Sequence, residues 1–167
     1  MFFNLLQPKK IYQSVFEIPF EDLQKSRIRG VIVDLDNTLT EWQNPELSQE
    51  AVDWLVKLRE AGFQVCLVSN NSPRRVEEVA GKLGLPFVAR AQKPRRKSFR
   101  RALEIMKTRP EETAVIGDQV FTDVLGGNRL GMYTILVPPI SKKEFIGTRL
   151  VRIIERLVIE RQNRGDS

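Results

Sequence analysis

Histidine is absent from this sequence of 167 residues, and cysteine occurs once, as Cys66. The first absence excludes Ser-His and Cys-His catalysis, phosphohistidine chemistry and metal sites built from histidine. The second excludes an intramolecular disulfide and favours a reducing compartment. Because Cys66 lies in the apolar run of residues 65–68 with no activating group beside it, we predict a buried and unreactive thiol. Enzyme chemistry here must therefore use carboxylates, hydroxyls, lysines and arginines.

Long apolar runs are also absent. No stretch reaches the roughly 18 apolar residues that a membrane-spanning helix requires. The apolar start, residues 1–6, is short and lacks a charged beginning, so it does not resemble a secretory signal. We therefore expect a cytoplasmic protein, and leave open a peripheral position at the inner face of the membrane.

The composition is that of one globular domain with an excess of basic over acidic residues. Apolar residues make up 41% and charged residues 29%, which is ordinary for such a domain. We predict a single domain over 1–167, with 1–29 as an N-terminal extension and 141–167 as a C-terminal helix packed on or flanking it. The 27 lysines and arginines exceed the 21 acidic residues, so the net charge is +6. This excess indicates an anionic partner: a nucleic acid, an anionic membrane or a phosphorylated substrate.

Short apolar runs alternate with amphipathic segments along the chain. The predicted strands cover 30–35, 64–68, 86–88, 113–116 and 133–137. The predicted helices cover 48–61, 73–83, 95–107, 122–130 and 142–162. This alternation predicts an α/β fold, a doubly wound parallel sheet covered by helices. Ligands of such sheets bind beyond the carboxyl ends of the strands, so the chemistry is expected there.

Polar side chains follow four of these strand ends. They are Asp34 and Asp36, Ser69 and Asn70, Lys93, and Asp118 and Asp123. Carboxylates gathered at one edge repel one another unless a hard cation neutralises them, and Mg²⁺ prefers carboxylate, water and phosphate oxygens. The pattern therefore predicts a site for Mg²⁺ and a phosphate group.

The same residues suit phosphoryl transfer. With repulsion offset by the metal, Asp34 would attack phosphorus as a nucleophile. Asp36, two residues further on, would protonate the leaving oxygen and then activate water. Lys93 would stabilise charge on the nucleophile and the phosphate, and Ser69 would bind a phosphate oxygen.

Four segments resemble, in order and position, the motifs of the haloacid dehalogenase superfamily, subfamily IIIA: DLDNT at 34–38, Ser69, Lys93 and GDQVFTD at 117–123. The resemblance covers about residues 30–137. It implies a Rossmann-like sheet in the strand order 5-4-1-2-3 and a reaction through an aspartyl-phosphate intermediate.

The resemblance also implies roles for single residues. The implied Mg²⁺ ligands are the side chain of Asp34, the backbone carbonyl of Asp36, and Asp118. Asp123 would support the metal-bound water, and Asn70 would join Ser69 and Lys93 at the phosphate. Many members have glycine where this chain has Asn37, a mild departure because asparagine tolerates left-handed backbone.

Plainer interpretations of three of these residues stay open. Ser69 suits a turn or a helix cap. Lys93 suits a solvated surface, and Lys97 is a nearby competitor for the catalytic position. Asp123 suits the first turn of a helix, where the dipole favours a carboxylate.

The spacing of the motifs leaves no room for an inserted cap domain. Asp36 and Ser69 are 33 positions apart, and Ser69 and Lys93 are 24 apart. Such an open site suits a phosphate on a large or surface-bound substrate. Residues 4–8 and 117–137 further resemble the YqeG-type branch, which is similar to the phosphatidylglycerophosphate phosphatases of mitochondria and plastids. That resemblance implies dephosphorylation of phosphatidylglycerophosphate to phosphatidylglycerol. The alternatives are a soluble phosphoester, a nucleic-acid end, or a non-catalytic basic binding module.

A dense basic cluster adjoins the expected site. Its members are Lys93, Arg95, Arg96, Lys97, Arg100 and Arg101. A solvated helix face, a rim for anionic lipid headgroups and a nucleic-acid contact all fit this cluster. Nucleic acid has the least support, because Phe99 is the one aromatic residue there for a base to stack on. Residues 1–6 and the basic amphipathic helix at 142–162 are further candidates for membrane contact. The oligomeric state stays open.

Overall fold

Six parallel strands form one sheet, in the order β1-β6-β5-β2-β3-β4. The computed structural model describes residues 2–42, 44–140, 155–156, 159–160 and 163. The strands are β1 (Lys10–Ile11), β2 (Gly30–Val33), β3 (Gln64–Val68), β4 (Phe87–Val88), β5 (Thr113–Gly117) and β6 (Tyr133–Leu136). Every residue of β2 and β5 is buried, as expected for central strands covered on both faces.

Within residues 2–140, the first helix precedes β1 and the other helices lie between successive strands. They are α1 (Phe2–Leu5), α2 (Phe20–Lys25), α3 (Gln49–Glu60), α4 (Pro73–Leu83), α5 (Arg96–Met106) and α6 (Leu125–Asn128). Ser48 precedes α3 and accepts a hydrogen bond from the Ala51 N–H at 3.1 Å. Gly84, with φ of 61°, ends α4 in the left-handed conformation that favours glycine.

Two apolar cores lie on opposite faces of the sheet. Val31 and Val33 belong to the larger core, which also contains Trp54 of α3. Ile32 points to the other face and packs in a second core with Phe99 of α5. Cys66 lies in this second core with no exposed surface, and burial raises the pKa of its thiol to about 12. Its predicted burial is confirmed.

The predicted architecture is confirmed, with one strand missed. The predicted order 5-4-1-2-3 corresponds to β6-β5-β2-β3-β4. The missed strand is β1, which extends the edge by pairing Lys10 with Ile135 of β6. Both residues of β1 are exposed, so no apolar pattern marked it in the sequence.

The helix predicted at 122–130 has a different form. A π-helical turn covers Val120–Val124, and the short α6 follows it. Buried Glu155 holds the turn in place by accepting hydrogen bonds from the N–H groups of Val120, at 2.6 Å, and Phe121, at 3.4 Å. Turns of this type are frequent at functional sites.

Some predictions fall on parts of the chain outside the described residues. These include Met1 and most of the helix predicted at 142–162, with its apolar stripe. Of that helix, Glu155, Arg156, Ile159 and Glu160 are described and helical. Across the described part of the chain, no helix combines the length and apolar character needed to cross a membrane.

Candidate active site

The carboxyl ends of the central strands bring the predicted residues to one edge of the sheet. Asp34 directly follows β2, and its N–H donates to the Ile116 carbonyl of β5 at 3.0 Å. Ser69 directly follows β3, and its N–H donates to the Val88 carbonyl of β4 at 2.9 Å. A cavity of about 310 Å³ opens there. It is lined by Asp34, Asp36, Asn37, Trp42, Ser69, Asn70, Asn71, Lys93, Gln119 and Thr122.

Lys93 lies at the centre of this edge, with a side chain only 3% exposed. Its ammonium donates to Asp34 Oδ1 at 2.9 Å, to Asp123 Oδ1 at 2.6 Å and to the Val68 carbonyl at 3.0 Å. Burial alone would lower the pKa of Lys93, but Asp123 and Asp34 outweigh it and raise that pKa above its usual value. Lys97 is exposed on α5, so the geometry favours Lys93 as the lysine of the site.

Three carboxylates meet beside Lys93. One oxygen from each of Asp34, Asp118 and Asp123 lies within 4.8 Å of the others. Burial raises the pKa of Asp123 to about 6; Lys93 opposes this shift and the charge of Asp34 adds to it. Thr38, four residues after Asp34, lies 3.1 Å from Asp118 Oδ1 and 3.3 Å from Asp34 Oδ2 through its hydroxyl. This cluster of hard oxygen donors fits a divalent cation such as Mg²⁺.

The structure gives a reason for the glycine that begins the GDQVFTD segment, Gly117. A Cβ atom at this position would collide with the carboxylate of Asp123. The N–H of Gln119 donates to Asp123 Oδ2 at 3.3 Å, and the π-helical turn carries Asp123 back toward Lys93. The segment therefore serves to place one buried carboxylate, which goes beyond the helix-starting role left open for Asp123.

Asp36 lies apart from the three carboxylates and has its own partners. Arg75 Nη2 donates to Asp36 Oδ1 at 3.1 Å, and Asn71 Nδ2 donates to Asp36 Oδ2 at 2.9 Å. Both Asp36 and Arg75 are 8% exposed. Arg75 was not among the predicted site residues, because an arginine next to Arg74 in the first turn of a helix suggests a solvated surface.

Ser69 and Asn70 line the cavity and also shape the loop around it. Ser69 Oγ accepts from the Asn71 N–H at 3.1 Å, so the turn interpretation of Ser69 describes its local geometry. Asn70 Oδ1 accepts from the backbone N–H of Lys93 at 2.7 Å, which ties the two loops of the site together. Asn37 has φ of 62°, the left-handed backbone that asparagine was expected to tolerate at this position.

The mouth of the site is formed by a short flap, residues 37–42. Its base is closed by the Asn37 N–H donating to the Thr40 carbonyl at 2.7 Å. Trp42 lines the cavity and is 41% exposed. Between Asp36 and Ser69 the described chain consists of this flap, the segment leading to α3, α3 itself and β3, which agrees with a site lacking an inserted cap.

The predicted basic cluster lies on α5 and the turn before it. Apart from Lys93, which is buried in the site, its members Arg95, Arg96, Lys97, Arg100 and Arg101 are exposed. Arg101 pairs with Glu104 at 3.3 Å on the surface. Because α5 begins at the carboxyl edge of the sheet, its first residues border the site.

Comparison with known proteins identifies the family. A family model described as a haloacid dehalogenase-like hydrolase matches residues 41–131, which include Ser69, Lys93, Asp118 and Asp123. The chain is 42% identical over 152 residues to "Probable phosphatase YqeG" of Bacillus subtilis, covering 91% of this chain and 88% of that protein.

Two more distant relatives are named for different substrates. The chain is 25% identical over 131 residues to a glyceraldehyde 3-phosphate phosphatase of Pyrococcus furiosus, covering 67% of this chain and 54% of that protein. It is 24% identical over 155 residues to phosphatidylglycerophosphate phosphatase 1 of Arabidopsis thaliana, covering 86% of this chain and 44% of that protein. The chain thus spans about half the length of these two relatives.

The fold agrees with these sequence relationships. A subfamily IIIA hydrolase of the haloacid dehalogenase superfamily from Legionella pneumophila superposes with a TM-score of 0.54 at 18% identity, covering 86% of this chain and 89% of that one. This likeness concerns the fold alone. The family model and the 42% identity are decisive for membership. The chain belongs to the haloacid dehalogenase-like hydrolase family, and within it to the phosphatases.

Proposed function

We propose that this phosphatase is a Mg²⁺-dependent phosphomonoesterase that works through a phosphorylated Asp34 and acts on phosphatidylglycerophosphate. The observation that carries the chemical part is the contact of one buried lysine, Lys93, with both Asp34 and Asp123. Asp118 completes the group of carboxylates, and Asp36 lies two residues from the nucleophile. Asp34, Asp36 and Lys93 line one cavity, so a nucleophile, an acid and a cationic partner face the same space.

In the proposed first step, an Asp34 carboxylate oxygen forms a bond to phosphorus and the ester oxygen departs. Asp36 gives its proton to that oxygen, so the alcohol leaves as a neutral molecule. In the second step, Asp36 takes a proton from water, the water oxygen attacks phosphorus, and the bond to Asp34 breaks. Inorganic phosphate is released and both aspartates return to their starting states.

Side chains around the cavity would hold the phosphate during these steps. Lys93 offsets negative charge on Asp34 and on the phosphate oxygens. Ser69 and Asn70 border the same cavity and are proposed to donate hydrogen bonds to the phosphate. The residues proposed to hold Mg²⁺ are Asp34, Asp118, Asp123 and the backbone carbonyl of Asp36. When bound there, Mg²⁺ would offset the electrostatic repulsion between the anionic nucleophile and the anionic phosphate.

The choice of a lipid substrate rests on the open site and its surroundings. A site without a cap can reach a phosphate that projects from a surface. The exposed arginines at the start of α5 suit an anionic surface, since each basic residue near one contributes roughly 1 kcal/mol. The Arabidopsis relative is named for a phospholipid substrate, whereas the archaeal relative is named for a soluble one.

A phosphate-release screen tests this proposal. The substrates are phosphatidylglycerophosphate in mixed micelles, glyceraldehyde 3-phosphate, p-nitrophenyl phosphate and a 5′-phosphorylated oligonucleotide, each with and without Mg²⁺. We expect Mg²⁺-dependent turnover with the highest kcat/KM on the lipid. Preference for a soluble ester or the oligonucleotide would reject the lipid substrate, and absence of release from all four would favour a binding module.

A further inference from the structure

We propose that Arg75 is a positioning residue that fixes the orientation of the Asp36 carboxylate for proton transfer to the leaving group. This inference rests on the proposed function, in which Asp36 is the acid and base. Arg75 makes its contact with Asp36 and does not line the cavity, so it would act through Asp36 alone.

The geometry around Asp36 holds both of its oxygens. Arg75 donates to Oδ1 at 3.1 Å, and Asn71, in the loop that leads into α4, donates to Oδ2 at 2.9 Å. Two hydrogen bonds, one to each oxygen, restrict rotation of a carboxylate more than a single hydrogen bond does. A carboxylate oxygen has two acceptor positions, so a hydrogen bond from Arg75 or Asn71 does not by itself fill it.

The position of Arg75 is set by the start of α4. Ser72 caps this helix and accepts a hydrogen bond from the backbone N–H of Arg75 at 3.3 Å. Because α4 begins at the carboxyl edge of the sheet, its first turn faces the loop after Asp34 and Asp36. A side chain placed this way on a rigid element can orient a reacting group more precisely than one on a mobile loop.

Burial of Arg75 makes a purely structural role a poor explanation. Its Nε and Nη1 atoms are buried and have no hydrogen-bond partner among the described residues. A buried guanidinium with unsatisfied donors costs stability, and apolar residues usually fill such a position at least as well. Arg74, one position earlier, has a side chain 92% exposed and pairs only with Glu78 at 3.5 Å among the described residues. Of these two neighbours, only Arg75 is buried against Asp36, which indicates that its role is at Asp36.

Dependence on the leaving group separates positioning from support of the fold. An alkyl alcohol needs a proton as it departs, whereas p-nitrophenolate is stable as an anion. The value of kcat/KM reports the steps up to cleavage of the ester bond, in which the acid acts. Loss of a positioned acid should therefore reduce kcat/KM for glycerol phosphate much more than for p-nitrophenyl phosphate.

The experiment compares Arg75→Gln, Arg75→Lys and Asn71→Ala with the matched control Arg74→Gln. For Arg75→Gln we expect kcat/KM to fall by about 100-fold on glycerol phosphate and by less than about 10-fold on p-nitrophenyl phosphate. Arg75→Lys should recover part of the loss because an ammonium can still donate to Asp36. Asn71→Ala should show the same selectivity to a smaller extent, and Arg74→Gln should stay within about twofold on both substrates.

Equal losses on the two substrates in Arg75→Gln, or an unchanged ratio, would overturn the positioning role. If Arg75→Gln does not fold, as judged by circular dichroism, the ratio for Asn71→Ala decides in the same way. The proposed function is tested separately by whether the wild type releases phosphate at all and whether Asp34→Asn abolishes that release. A wild type that is active through Asp34, with unaltered ratios in the variants, contradicts only the inference about Arg75.

Discussion

The ammonium of Lys93 lies 2.6 Å from Oδ1 of Asp123, and both side chains are 3% exposed or less. The same ammonium also contacts Asp34, so one cation pairs with two carboxylates. An oxygen of Asp118 lies within 4.8 Å of an oxygen of each of these carboxylates. Three carboxylates and one ammonium leave two net negative charges in a buried cluster. A divalent cation would neutralise that excess, which gives a physical reason to expect metal dependence.

Metal binding should therefore stabilise the folded protein. A ligand at 100 times its dissociation constant stabilises by about 2.7 kcal/mol, so Mg²⁺ should raise the melting temperature in a concentration-dependent way. Asp118→Asn should lose most of this increase, since it removes a proposed ligand. The matched control is Asp53→Asn, because Asp53 is exposed on α3 and bonds to Gln49. An equal Mg²⁺ response in Asp118→Asn would argue against this site.

Replacement of Asp36 should separate proton transfer from metal binding. Asp36→Asn removes the acid and base, and such a loss typically slows turnover by about two to four orders of magnitude. The backbone carbonyl proposed as the metal ligand is retained, so titration calorimetry should still show Mg²⁺ binding. If calorimetry instead shows that binding is lost, the side chain of Asp36 is itself a ligand.

The basic cluster on α5 should attach the protein to anionic bilayers. Attraction to such a surface fades within about 10 Å at 0.1 M salt, so binding should be peripheral and sensitive to salt. We expect flotation with liposomes to increase with phosphatidylglycerol content and to fall when four cluster arginines become serine. These are Arg95, Arg96, Arg100 and Arg101; Lys93 is left unchanged because of its place in the site.

A charge-matched control tests whether location or only total charge matters. Four exposed basic residues lie at the opposite edge of the sheet, near the starts of β2, β3 and β4. They are Lys25, Arg27, Lys57 and Lys82. Their replacement by serine should leave flotation nearly unchanged. Equal losses in both variants, or binding that ignores anionic lipid and salt, would remove the electrostatic role of the cluster and leave the phosphatase assignment intact.

Much of the site followed from the sequence because parallel strands fix where their ends meet. Alternating apolar runs and helices predicted β2, β3 and β5, so Asp34, Ser69 and Asp118 had to gather at one edge. Very short strands could not be predicted in this way. With two exposed residues, β1 offers no pattern to detect.

The inward orientation of Arg75 could not be predicted from sequence patterns. Arg74 and Arg75 are identical neighbours in the first turn of α4, and only the packed structure shows which one turns inward to Asp36. The π-helical turn that carries Asp123 toward Lys93 was likewise hidden, since local propensity favoured an ordinary helix there. In both cases the decisive information is tertiary, because it depends on where the partner carboxylate or ammonium lies.

The measurement that tests the central claim most directly is Mg²⁺-dependent phosphate release by the wild type and by Asp34→Asn, with the melting temperature recorded for each. Removing the nucleophile leaves only binding and electrostatics, so the variant should be folded and at least about three orders of magnitude slower. Beryllium fluoride with Mg²⁺ should inhibit the wild type by occupying Asp34 as a phosphate mimic. A folded Asp34→Asn protein that releases phosphate at close to the wild-type rate would contradict the account.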